Sequence, residues 1–177
     1  MSTAFLPAQR PKITRDTALS RLPVAVDLTV VTVAAFRAYY HDERSANERG
    51  VYDDCIVIIG PEHFSAYNAN VDPSVFRPGI ANLKPGAWRY KPGIHGLSKP
   101  REQQYQAYVQ AAPVTVLRDG QGSDTGWFGI NIHRGGNNGT SSLGCQTIPP
   151  AQWEAFRATL NDQLKRAGQR EFQYILT

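Results

Sequence analysis

Apolar residues along this chain gather in short runs more often than in helical stripes. CIVIIG (55–60) is a continuous apolar run of strand length, GPE supplies a turn, and HFSAYNAN (63–70) reads as its partner strand. Further extended segments are predicted at AWRYKPGIHG (87–96), QYQAYVQ (104–110) and PVTVLRDG (113–120). In WFGINIH (127–133), Trp127, Gly129 and Asn131 alternate against Phe128, Ile130 and Ile132, so a strand there carries His133 at its C-terminal end. The intervening VDPSVFRPGIANLKPG (71–86), with three prolines, reads as a long excursion. "FQYIL" (172–176) closes the chain as a strand.

Helical spacing occurs twice. Asp27 is a candidate N-cap for a helix running to about residue 43, with Leu28, Val31, Ala35 and Ala38 on one face, although its β-branched residues oppose that state. Pro149 and Pro150 prime a second helix whose stripe is Trp153, Phe156, Leu160 and Leu164, with Gly168 as its terminating residue. Residues 1–23 contain three prolines and no periodicity, and read as an extended arm; 24–177 then form one domain. The pattern predicts a β-rich α+β domain with a helix near each end.

A length of 177 residues suffices for one proper core, and the 41% apolar and 19% charged fractions exclude wholesale disorder. The net charge of +4 is spread out: residues 1–50 hold seven basic and five acidic side chains, which is no polybasic tail. Such a balance attracts polyanions loosely without choosing among nucleic acid, lipid and bacterial wall. No run reaches the roughly 18–20 apolar residues of a membrane span, and Asp27 with neighbouring threonines interrupts the one stretch (23–35) that resembles a signal peptide. The chain is therefore expected to be made in the cytoplasm without an export signal and to reach any outside target by release or delivery.

Two cysteines make no disulfide framework. Cys55 lies in an apolar run, where a free cysteine acts as a small buried hydrophobe. Cys145 lies in NIHRGGNNGTSSLGCQTIPP (131–150), among glycines at 135, 136, 139 and 144. A thiol there needs a base to act as a nucleophile, and His133 at a strand end can be that base. Gly144 frees the backbone for the N–H groups of residues 144 and 145 to face an oxyanion. The order, histidine before cysteine, is the reverse of papain-like hydrolases. Arg134 suits a substrate carboxylate, and His95 is a second histidine able to line a cleft. Asn137 and Asn138 suit turns with left-handed backbone. His41, His63, His95 and His133 lack metal-binding spacing, and GGNNGTSS lacks the ending that reads phosphates, so neither metal nor cofactor is expected.

A strand ending in Ile132-His133, a polar glycine loop, and then Ser142-x-Gly144-Cys145 resembles the signature of the L,D-transpeptidase-like (YkuD-type) cysteine enzymes of peptidoglycan. Upstream, Lys84-Pro85-Gly86 resembles the family's approach to the site, and the likeness spans about 53–153. The resemblance implies a β-sandwich or barrel catalytic domain in which Cys145 is the nucleophile, His133 the base and Gly144 part of the oxyanion site. Ser142, Arg134 and His95 would then serve the substrate. It departs at Leu143, where the family has histidine, and in a shorter loop; Gly144-Cys145-Gln146 is similar to wall hydrolases of phage type. The implied function is hydrolysis of peptidoglycan stem peptides through a thioester, as an L,D-carboxypeptidase or endolysin-like endopeptidase. That enzyme would be a monomer with no nucleic-acid partner and no membrane-spanning segment, acting in the wall. A transpeptidase, an antibacterial effector of the same fold, a non-catalytic wall-binding or virion module and a redox-sensing thiol remain the alternatives.

Overall fold

The computed structural model describes residues 6–41 and 47–177. It is an α+β, strand-rich fold built on a nearly closed, barrel-like sheet. Strands β1 (Thr32–Phe36), β2 (Asp54–Ile59), β3 (Phe64–Ala69), β5 (Gly86–His95), β6 (Tyr105–Gln110), β9 (Ile132–Arg134), β10 (Gln146–Ile148) and β11 (Phe172–Leu176) form one sheet in the order β10-β9-β6-β5-β11-β1-β2-β3. A bridge between Asn70 and Thr147 joins the two ends, Asn70 and Thr147 exchanging backbone hydrogen bonds of 2.9 and 2.8 Å. A second sheet, β4 (Ala81–Leu83), β7 (Val114–Arg118) and β8 (Ser123–Gly126), is ordered β4-β7-β8.

The continuous apolar runs have a direct cause. Every residue of β1 and β2 is buried because both faces of these strands are covered. Val33, Ala35, Ile56 and Ile58 face the main core, whereas Ala34, Phe36, Cys55, Val57 and Ile59 face a second cluster closed by Ile13 and Ala18. The helix α2 (Pro150–Arg166) sets Trp153, Phe156, Leu160 and Leu164 into the main core, as its stripe predicted. The Phe156 ring meets Tyr67 edge-on at 5.3 Å and Tyr108 at 6.0 Å. Each such side chain contributes about 1.5–3 kcal/mol by leaving water, and together they fix α2 across the strands that carry the candidate site.

Three expectations are corrected. The segment from Asp27 is no helix: Thr32–Phe36 is β1, paired parallel to β11 and antiparallel to β2. Its β-branched residues found a two-sided buried slot, which outweighs helical spacing. Asp27 does bind the backbone, but through an Asx turn, its carboxylate accepting from Thr29 N (2.8 Å) and Thr29 Oγ1 (2.6 Å). The far end of the expected helix lies outside the described residues. Within the supposed arm, Arg15–Arg21 form the helix α1, whose N-cap Thr14 accepts from Thr17 N at 3.2 Å. Finally, the strand expected over 127–133 is confined to Ile132–Arg134, since Gly129 takes φ +69° and Gln110 Oε1 accepts from the N–H groups of Phe128 and Ile130.

Candidate active site

The glycine-rich stretch is a crossover. Strands β9 and β10 pair in parallel, Ile132 beside Gln146 and His133 beside Thr147. Parallel neighbours cannot be joined by a tight hairpin, so residues 135–145 must carry the chain back to the start of β9. The same pairing sets Cys145 beside Asn131, whose N–H points at Sγ from 3.4 Å. Asn131, just before β9, and His133 within it fall on the side opposite Ile132. Histidine and cysteine therefore come from adjoining strand ends despite their separation in sequence.

The crossover is tied down. Tyr52 Oη donates to the Gly136 carbonyl (2.8 Å), and Ser74 Oγ bonds Thr140 Oγ1 (2.6 Å) and accepts from Ser142 N (2.8 Å). Ser142 was expected to face substrate. Instead it is buried in the turn, its Oγ accepting from Gly144 N (3.0 Å) and donating to the Cys145 carbonyl (2.7 Å). Gly144 N–H is thus occupied, and among the described residues Cys145 N–H is the one of the two expected oxyanion donors with no acceptor. Gly144 stands at φ +125°, and a Cβ there would collide with the carbonyl of Ala81. Glycine before Cys145 is a steric requirement here. The exposed Asn137 and Asn138 do not take left-handed backbone; Ser141 does, at φ +55°.

His133 is 4% exposed. Its Nδ1–H donates to the Arg134 carbonyl at 2.7 Å, and Tyr105 Oη lies 3.0 Å from the same nitrogen while donating to that carbonyl at 3.3 Å. A carbonyl only accepts, so Nδ1 carries the hydrogen and Nε2 keeps a free lone pair. His95 stacks on His133 with ring centroids 4.0 Å apart and planes at 23°, and its Nδ1 accepts from Asn131 Nδ2 at 3.0 Å. Its own proton then sits on Nε2. Leu143, where the resemblance expects histidine, is exposed. Cys145 is a partly exposed residue whose Sγ donates to the Gly129 carbonyl at 3.5 Å; the hydrogen bonds of His133 run through Nδ1 to Arg134 and Tyr105, not to the thiol. Arg134 lies over the Tyr105 ring (5.3 Å) and has no carboxylate partner among the described residues.

Electrostatics hold both groups neutral. Burial, then the neighbouring His95, lowers His133 to about 3, against the favourable bond to the Arg134 carbonyl. Burial raises the Cys145 thiol to about 11, opposed by the Asn131 N–H. His95 is lowered by burial and by Lys99. The resting pair is therefore thiol and imidazole, not thiolate and imidazolium. A neutral thiol and imidazole could react only by passing the proton during attack, as a hydroxyl nucleophile and its base do.

A cleft of about 650 Å3 adjoins this cluster; His95, Gly129 and Asn131 line it, whereas Cys145 and His133 lie behind that wall. Among the described residues no three His, Cys, Asp or Glu side chains gather to hold a metal ion, and no helix is long and apolar enough to cross a membrane. His133 and His95 stack, Asn131 links His95 to Cys145, Gly144 precedes the cysteine, Arg134 follows His133, and Ser142 is turned inward. Sequence reasoning missed Tyr105 and Asn131. Tyr105 pairs with His95 across β5 and β6, so aligning that hairpin would have found it. Compared with protein-family models, with curated proteins and with solved structures, the chain matches none.

Proposed function

We propose that the protein is a cysteine hydrolase of peptidoglycan stem peptides, acting through a thioester acyl-enzyme, with an L,D-transpeptidase-like fold. The observation that carries this reading is the parallel β9–β10 pair, which mounts Cys145, a partly exposed residue, beside a strand whose histidine is pinned at Nδ1 and keeps Nε2 as a base. In the attack, Nε2 of His133 takes the thiol proton as Sγ bonds to the amide carbon. Cys145 N–H donates to the oxygen on which charge develops. Collapse breaks the C–N bond, and the imidazolium returns its proton to the departing amine. Water, deprotonated by the same nitrogen, then adds to the thioester, and the acid and the thiol are released. An amine in place of water would give transpeptidation. Catalytic hydrogen bonds tighten on substrate binding, which is where the His133–Cys145 contact belongs.

The test is to incubate the purified protein and its Cys145→Ala variant with defined muropeptides and to weigh the products. Loss of a terminal D-residue or of a cross-link by the native protein alone is expected. Unchanged muropeptides from both, with wall binding retained in both, would make the protein a binding module instead.

A further inference from the structure

We propose that the cleft between the β5–β6 hairpin and residues 127–131 selects a ligand with a free carboxylate beside a short aliphatic stretch, and that Lys99 is the selecting residue. The walls are apolar where Ile94, Leu97, Val109 and Trp127 contribute, and among the described residues the charged ones lining the cleft are Lys91 and Lys99. Leu97 and Trp127 stand 73% and 64% exposed at this cleft, a combination usually reserved for surfaces that are covered in use. Lys99 enters no ion pair among the described residues. Its stem lies against Gly96, where a Cβ would meet Lys99 Cδ at 3.3 Å. From there its charge reaches both His95 and His133. Arg134, also without a carboxylate partner, bears on His133 as well. Lys99 within the cleft and Arg134 outside it thus act on the neutral imidazole of His133, and the cleft has no acid of its own. The complementary ligand brings the negative charge, and a peptide ending in small aliphatic residues and a free carboxylate has that chemistry. The inference rests on the preceding section for the peptide named, and it favours cleavage next to a chain end over cleavage within a cross-link.

The experiment compares an N-acetylated stem tetrapeptide ending in a free carboxylate with the same peptide amidated. Binding is measured by calorimetry on the full chain carrying Cys145→Ser, so that turnover is not needed, and kcat/KM is measured on the native protein. The acid is expected to be preferred on the order of tenfold. K99Q should bring acid and amide together, and K99R should keep most of the preference. Equal affinity for acid and amide, no measurable binding of either, or a preference that survives K99Q overturns the proposal. Binding preference without turnover would sink the catalytic reading alone; turnover without preference would sink this one alone.

Discussion

Alkylation of Cys145 by iodoacetamide as a function of pH tests the neutral resting pair directly. Only the thiolate reacts, so the rate follows its population. With the thiol raised to about 11 by burial, the thiolate fraction at pH 7 is roughly one in ten thousand, against about 3% for an ordinary cysteine near 8.5. The rate at pH 7 should therefore fall roughly 300-fold below that of a free cysteine peptide before any steric effect, following from those two fractions. It should climb about tenfold per pH unit through pH 10 without levelling. Cys55 is wholly buried, and burial pushes its thiol far up, so it stays silent over the assay. A Cys145→Ser blank checks this by mass spectrometry of the labelled protein. A plateau reached below pH 8, or a rate at pH 7 within tenfold of the free peptide, would show a preformed ion pair. Proton transfer would then precede attack instead of accompanying it.

Two further outcomes are expected. Gly144→Ala forces a Cβ into the Ala81 carbonyl at φ +125°; it should cost more than about 2 kcal/mol in denaturant unfolding and abolish turnover even where the variant folds. His133 is depressed to about 3 from an ordinary 6.5, so between those values the unfolded chain binds a proton that the folded chain does not. Its contribution is complete above pH 6.5 and is lost as pH falls toward 3, at up to about 1.4 kcal/mol per pH unit. The stability of the native protein relative to His133→Gln should decline over that window; an unchanging difference would refute the burial argument.

The strands were legible wherever one chemistry dominated. CIVIIG announced a strand because it is apolar on both sides, and the stripe from Trp153 to Leu164 announced α2 because one face of a helix sees the core. What escaped detection depends on neighbours. Thr32–Phe36 is a strand because β2 and β11 flank it, and neither flank is visible in its own letters. That His133 and Cys145 lie on adjoining strand ends was suggested by order and glycine content, yet the cause, a parallel pair needing a crossover, lies in β10, three residues too short to announce themselves. Ser142 was misjudged because a hydroxyl near a nucleophile serves a substrate or a turn equally well in sequence. Its two bonds to Gly144 and Cys145 decide for the turn. Tyr105 went unnoticed because nothing near it in the chain is unusual.

The bridge between Asn70 and Thr147 gives β10 a double duty. This strand is where the sheet shuts on itself, and the thiol sits one residue before it. Loosening of the closure, by heat, denaturant or a change at Asn70, would reach the sulfur before it reached α2. The chemistry of Cys145 is thereby a reporter of whether the wall is shut, and a chain whose seam has parted should lose its reactive geometry while most of its secondary structure still stands.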